Sequence, residues 1–438
     1  YKSWAVTGSL EYALDDITIS SITNYNWNNN KFACDCDFLS AGVWATENAS
    51  YHAFSQELRL LTDFDSPVNL MVGALYQKTR RDFFQAVMFA NLEDSTASAS
   101  NRYVAYSKDS RTNGETLSGY GQLMWQITPT LEATGGVRYI HETKDSNFTQ
   151  PYVNAALQAL FTPESAAVNG TIFGNQTFND WSPDFTLRWK PTDDIMLYGA
   201  YRVAYKSGGF SNSAINSALS ANPGGDLTFN PEKGKGFEFG IKSTLADNQL
   251  QANLTYYNYN YTDLQVDFFN SQIFAYITYN AGSARSKGVE LELEYAPYSI
   301  PGLRLHGNLN YNQARYEDFI APCYSGQSIA AGCSLNIAGV PSQDLSGVPT
   351  AVAPKWTGTA GISYETELSD DLKLGSNIDM RYSDSYIASS FGDRATTQSS
   401  YAVLDAGIRI GASDDRWQLA LIGKNLTNKF YFTGGGTA

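Results

Sequence analysis

From end to end the chain alternates apolar with polar residues. Gly288–Tyr295 reads GVELELEY, with Val289, Leu291, Leu293 and Tyr295 on one side and Glu290, Glu292 and Glu294 on the other. Successive side chains of an extended chain point to opposite faces, so this period of two describes a strand with one apolar and one acidic face. The pattern returns over Trp4–Tyr12, Leu131–Tyr139, Ile195–Tyr205, Leu303–Tyr311, Trp356–Tyr364 and Trp417–Gly423. These runs reach about ten residues, against roughly 5–6 for an ordinary strand.

The connections alternate as well. Short turns at Leu14–Asp16, Asp65–Pro67, Thr128–Thr130, Pro191–Asp194, Ala246–Asn248, Pro297–Pro301, Ser369–Asp371 and Ser413–Asp415 are built from Asp, Pro, Ser and Asn. Those residues suit tight turns. Between the hairpins lie longer polar segments, at about 27–52, 85–115, 145–180, 211–230, 319–353 and 389–399. A shorter link near 270–280 reads as partly strand. Eight hairpins make about sixteen strands.

Short turns at one end and long loops at the other are the asymmetry of a transmembrane antiparallel β-barrel. Strands of about ten residues, tilted by roughly 45°, cross a bilayer. Lipid satisfies no backbone polar group, so strands cross it as a closed barrel. The fold class is therefore all-β, one barrel domain over residues 1–438, with leucines toward lipid and glutamates toward a wet lumen. A soluble β-sandwich would bury the same leucines in a core.

The net charge of −14 excludes a nucleic-acid partner, which needs clustered Lys and Arg. No apolar run is long enough for a transmembrane helix. The chain opens YKSWAVTGSL without a signal-peptide pattern and reads as a mature product or a fragment. The last clear strand runs from Arg416 to about Phe430, and both ends fall on the long-loop side, which implies a further strand at each.

Four cysteines form two local pairs. The ten-residue spacing of Cys323 and Cys333 suits a loop disulfide in an oxidising compartment. Cys34 and Cys36 read as two ordinary thiols, with a strained ring or a weak metal site beside Asp35 and Asp37 as alternatives. Three scattered histidines, with no zinc, nucleophile-elbow or phosphate-loop motif, argue against an enzyme and against a cofactor. Glu290, Glu292, Glu294, Arg138, Arg202 and Arg304 alternate with apolar neighbours and are candidate lumen-facing charges. The glutamates are expected to pair with Arg304 and Lys242.

Several segments resemble the TonB-dependent outer-membrane receptor family: FSQELRL (Phe54–Leu60), YKSGGF (Tyr205–Phe210), NPEKGKGFEFGIKSTL (Asn230–Leu245), YTDLQV (Tyr261–Val266), NAGSARSKGVELELEY (Asn280–Tyr295) and GKNLTNKFY (Gly423–Tyr431). The resemblance implies a 22-stranded barrel with an N-terminal plug, neither the plug nor the last strand being present in this segment. It also implies an importer in the bacterial outer membrane, energised through TonB, ExbB and ExbD and embedded in lipid and lipopolysaccharide. A ferric siderophore is the leading ligand, with an oligosaccharide or cobalamin open, and a passive 16-stranded porin is the alternative. Ligand contacts belong in long loops, where Trp27, Phe83, Phe84, Phe173, Phe178 and Tyr324 are the candidate aromatics.

Overall fold

A computed structural model describes residues 1–35, 42–89, 91–161, 171–211, 227–270, 275–324, 326–337 and 339–435. Sixteen strands form one antiparallel sheet in which every strand pairs with its sequence neighbours. They are β1 (Lys2–Leu14), β2 (Ile17–Asp35), β3 (Val43–Thr62), β4 (Val68–Phe89), β5 (Val104–Thr128), β6 (Leu131–Val153), β7 (Thr171–Thr192) and β8 (Ile195–Lys206). There follow β9 (Glu232–Leu245), β10 (Leu250–Asn270), β11 (Ala275–Tyr295), β12 (Leu303–Asp318), β13 (Trp356–Ser369), β14 (Leu372–Ser383), β15 (Tyr401–Ala412) and β16 (Gln418–Gly423). β1 and β16 are the two edges. All eight short turns stand where the sequence places them.

Turn chemistry explains those positions. Asp15 has φ +41°, and Ala246, Asp247 and Asn248 all sit at positive φ, a region in which Asp and Asn are several-fold enriched. Gly302, at φ +85°, lies so close to Glu365 that a Cβ would fall on its carbonyl oxygen. Only glycine fits both demands.

Register separates the two faces. One row across β9–β14 reads Ile241–Leu254–Leu291–Leu309–Gly358–Tyr382, and the next reads Lys242–Asn253–Glu292–Asn308–Thr359–Arg381. The first is outward and apolar; the second is inward and polar. Leu117 is 59% exposed and Ile378 50%, and among the described residues no second sheet covers this band. The sandwich alternative fails on that point. Among the described residues no helix is long and apolar enough to cross a membrane, which says nothing about strands.

The buried core lies on the long-loop side instead. Tyr316 and Phe319 pack with Val266, Leu345 and Phe391, while Tyr106 packs with Ala45 and Val87. Three small sheets build this end: Gly209–Phe210 with Thr228–Phe229, Ile320–Pro322 with Val340–Asp344 and Leu335–Ile337, and Tyr386–Ile387 with Thr397–Gln398. Strand lengths are uneven. β4–β7 run 22 to 25 residues, whereas β8, β14 and β15 run 12.

Two expectations need correction. Much of the supposed loops at 27–52, 85–115 and 145–180 is strand: Trp27 pairs with His52, Gln85 with Lys108, and Asp145 with Asn175. Polar residues on both faces look like loop in a sequence, but a wall rising above the bilayer is wet on both sides. The last strand, read as running to about Phe430, ends at Gly423. Asn425 and Asn428 take positive φ and turn the chain back, and Tyr431 stacks on Tyr401 with ring centres 4.4 Å apart.

Candidate ligand-facing wall and cap

The inward face is polar because every second residue of each strand points there. On β3, Glu57 and Arg59 share it with Tyr120 of β5 and Arg138 of β6. Arg59 bonds Glu57 at 3.0 Å and donates from Nε to the Tyr120 hydroxyl at 3.3 Å, while that hydroxyl donates to Glu57. Arg138 lies 5.7 Å from the Tyr120 ring centre, and its buried Nε has no hydrogen-bond partner. These groups and Asp184 line a cavity of about 310 Å³.

Other charges form a belt of inward ion pairs. Arg188 meets Glu132 at 3.2 Å, Arg202 meets Glu238 at 3.9 Å, Arg381 meets Asp405 at 3.3 Å and Arg409 meets Glu365 at 2.8 Å. Tyr259 also donates to Glu238 at 2.7 Å. Side chains tied to the wall in this way present a fixed polar surface to whatever fills the lumen.

Glu290, Glu292 and Glu294 lie on the inward face of β11, as the alternation requires, but their expected partners do not reach them. Lys242 shares a row with Glu292, yet Asn253 stands on the strand between them. Asn253 fills the place that Gly375 leaves open between Arg409 and Glu365. Arg304 faces Ser363 across β13, and neither cation pairs with these glutamates. The neighbours are amides: Asn253 donates to Glu292 at 3.4 Å, and Asn308 and Asn310 stand opposite Glu292 and Glu290. His306, opposite Glu294, is committed to Asp379 at 3.1 Å. Gln251, Asn253, Glu292, Glu294, His306 and Asn308 border a cavity of about 360 Å³.

Above this belt the inward wall becomes denser. Lys108 is buried in the row Glu47–Gln85–Lys108, with its ammonium 5.8 Å from the Tyr106 ring. Burial pushes that ammonium down to about 7, and Glu47 opposes the shift. This ammonium stands on the long-loop side.

The aromatic candidates divide by face. Phe83 is inward and buried, and Phe178 is inward with the Lys144 ammonium 5.7 Å from its ring. Phe84 and Phe173 point outward and are exposed. Trp27 also lies on the outward face, opposite Trp4 in register and edge-on to His52 at 6.5 Å. These three cannot line the lumen, because each sits on a strand at the outward parity and not in a loop. Tyr324 belongs to the cap, where burial raises its hydroxyl above the ordinary tyrosine value.

The cap is formed by 319–324, 326–337 and 339–349, together with 389–398. Cys323 and Cys333 are disulfide-bonded, with Cα atoms 5.6 Å apart. Gln343 donates to the Phe391 carbonyl at 3.2 Å, and Tyr316 donates to that of Ser390 at 3.2 Å, so the two segments are one body. Cys36 lies outside the described residues, and so does any pairing between it and Cys34. Sequence reasoning missed Tyr120, Lys108 and the Tyr316–Phe319–Phe391 cluster. Their signals were present as alternation and as aromatics flanking the cysteines, but nothing local marked them as neighbours.

Known proteins share this architecture. The ferric yersiniabactin uptake receptor FyuA from Yersinia pestis superposes with a TM-score of 0.74 at 18% identity, over 100% of this chain and 58% of that one. The siderophore receptor PiuA from Acinetobacter baumannii gives 0.70 at 18% identity, over 99% and 61%. In sequence, the pesticin receptor of Yersinia enterocolitica is 28% identical over 240 residues, 55% of this chain and 31% of that protein. The chain thus spans about a third of the length of the curated relatives that it matches. The profile described as TonB dependent receptor-like, beta-barrel matches residues 1–426. An outward apolar band, an inward polar wall and that match together place the chain in the outer membrane, as part of the barrel of the TonB-dependent receptor family, to which it belongs.

Proposed function

We propose that the whole protein is an energised importer that draws a scarce ligand, a ferric siderophore, through the outer membrane. The observation that carries this reading is the family match along nearly the whole chain, on a sheet whose inward face is polar. FyuA, a ferric yersiniabactin uptake receptor, and PiuA, a siderophore receptor, suggest the ligand class. In this reading a plug domain and the rest of a 22-stranded barrel lie in parts of the protein outside this segment. The plug meets TonB, which ExbB and ExbD energise. Glu290, Glu292 and Glu294, which have no cationic partner on the wall, receive basic groups of the plug, and the cap and the Lys108 wall meet the ligand. Phospholipid and lipopolysaccharide surround the barrel. The family consists of receptors and transporters, and in this reading binding and passage are the activity.

The test is uptake of radiolabelled iron by iron-starved cells carrying the full-length protein, supplied in turn with catecholate, hydroxamate and thiazoline-type siderophores. One class should support uptake, and a protonophore should abolish it. Uptake that persists without the proton-motive force would mean a passive pore. Energised uptake of cobalamin or an oligosaccharide in its place would keep the importer and replace the ligand.

A further inference from the structure

Basic residues are scarce here, 30 against 44 acidic ones, yet several gather on one part of the outward face. Across β9–β12 a register row reads Lys235–Asn260–Arg285–Arg315. The row two residues nearer the short turns reads Phe237–Asn258–Lys287–Gln313. Two residues further comes Phe239–Tyr256–Val289–Tyr311–Trp356, an aromatic row at the upper part of the apolar band. Lys355 holds its ammonium 5.6 Å from the Tyr311 ring centre.

Height identifies what these cations meet. Arg285 and Tyr295 are ten positions apart on β11. At about 3.3 Å per residue and a tilt of about 45°, that is roughly 23 Å along the membrane normal. The apolar band of such barrels is about 25 Å tall. Arg285 and its row therefore stand at the level of lipid headgroups on the long-loop side, which faces the exterior in barrels of this kind.

The charges there are not cancelled. Arg285 donates to Asn258 at 2.9 Å and lies 3.6 Å from Glu317. Arg315 donates to the Gly347 carbonyl at 2.6 Å. Arg285, Lys287 and Arg315 against Glu317 leave +2 (3 − 1) around a cavity of about 430 Å³. Elsewhere on the outward rim the excess is smaller: Lys78 meets Glu115 at 3.1 Å, and Arg80 and Arg111 both meet Asp82, at 2.8 and 2.6 Å, leaving +1 (3 − 2).

We propose that Arg285, Lys287 and Arg315 form a binding site for the phosphate groups of an outer-leaflet glycolipid of the lipopolysaccharide class, whose acyl chains lie along the apolar band below. Guanidinium groups match phosphate with paired N–H donors, and continuity with the lipid-facing band supplies the apolar half of the contact. The inference rests on the reading above that the outward face meets outer-membrane lipid, and it gives that lipid an address.

The experiment uses the full-length protein in detergent, with bisphosphorylated and dephosphorylated lipid A as probes. Wild-type protein should prefer the phosphorylated lipid, and the preference should shrink as salt rises. Replacing Arg285, Lys287 and Arg315 together by Gln should weaken phosphorylated lipid A binding about a hundredfold, near a factor of five per cation, with dephosphorylated lipid A unaffected. Equal affinity of wild-type protein for the two lipids overturns the proposal, as does an unchanged affinity in the variant. So does displacement of the bound lipid by an equal concentration of inorganic phosphate, which would mark a general anion site. If the variant fails to assemble, the wild-type lipid preference and its salt dependence decide. Binding is read without ligand or energy source, so it stands or falls separately from import.

Discussion

Single residues decide where this chain can bend. Gly302 closes the β11–β12 turn at φ +85° against Glu365, whose N–H donates to the Gly302 carbonyl at 3.0 Å. Gly302→Ala would strain the backbone by about 1–2 kcal/mol and drive a methyl group into the Glu365 carbonyl. Gly339 has nearly the same φ, +88°, with nothing within 4 Å of an added Cβ, so Gly339→Ala carries the backbone cost alone. Barrel assembly, read as the heat-modifiable fraction on a gel, should fall clearly for the first variant and little for the second. The need for glycine at position 302 was not legible in the sequence, because the carbonyl that excludes a side chain comes from a strand more than sixty residues away. The same holds for Glu290, Glu292 and Glu294. Their direction was readable from alternation, but their partners were not, since Asn253 intervenes only once register is fixed.

At the scale of the element, a strand is informative where its two faces meet different solvents and ambiguous where they do not. Within the bilayer, Leu309 and Asn308 differ by one position and by the whole of their surroundings. Leu309→Arg should cost roughly 2–4 kcal/mol, as for a cation at the bilayer midplane. Leu305→Arg, in the row of Tyr295 near the short turns, should cost less, and the inward Arg304→Leu should insert normally. Assembly yields in the reverse order would mean that the faces are assigned the wrong way round. Beyond the bilayer this contrast disappears. Trp27, Phe84 and Phe173 read as loop aromatics in the sequence because polar residues surround them, whereas they stand on strands that rise into water. The eight turns were legible for the opposite reason: Asp, Asn, Pro and Ser cluster there irrespective of what lies around the strands.

At the scale of the molecule, a barrel wall has no dry centre of its own, and the apolar clusters sit on the long-loop side, one of them in the cap. Cys323 and Cys333, ten residues apart, staple a cap that is otherwise held by Tyr316, Phe319 and Phe391. By loop-closure entropy the bond contributes about 2–3 kcal/mol to the cap. Reduction should therefore expose 320–345 to protease and leave the barrel's resistance to detergent unchanged; a loss of both would mean that cap and wall fold as one unit. The wall itself is lopsided. β5 has 25 residues and β8 and β14 have 12, an excess that lifts one flank roughly 30 Å above the other after allowing for tilt. Among the described residues, the crest near Val104 and Val153 therefore stands furthest from the apolar band, and substitutions there leave both that band and the inward belt of ion pairs untouched.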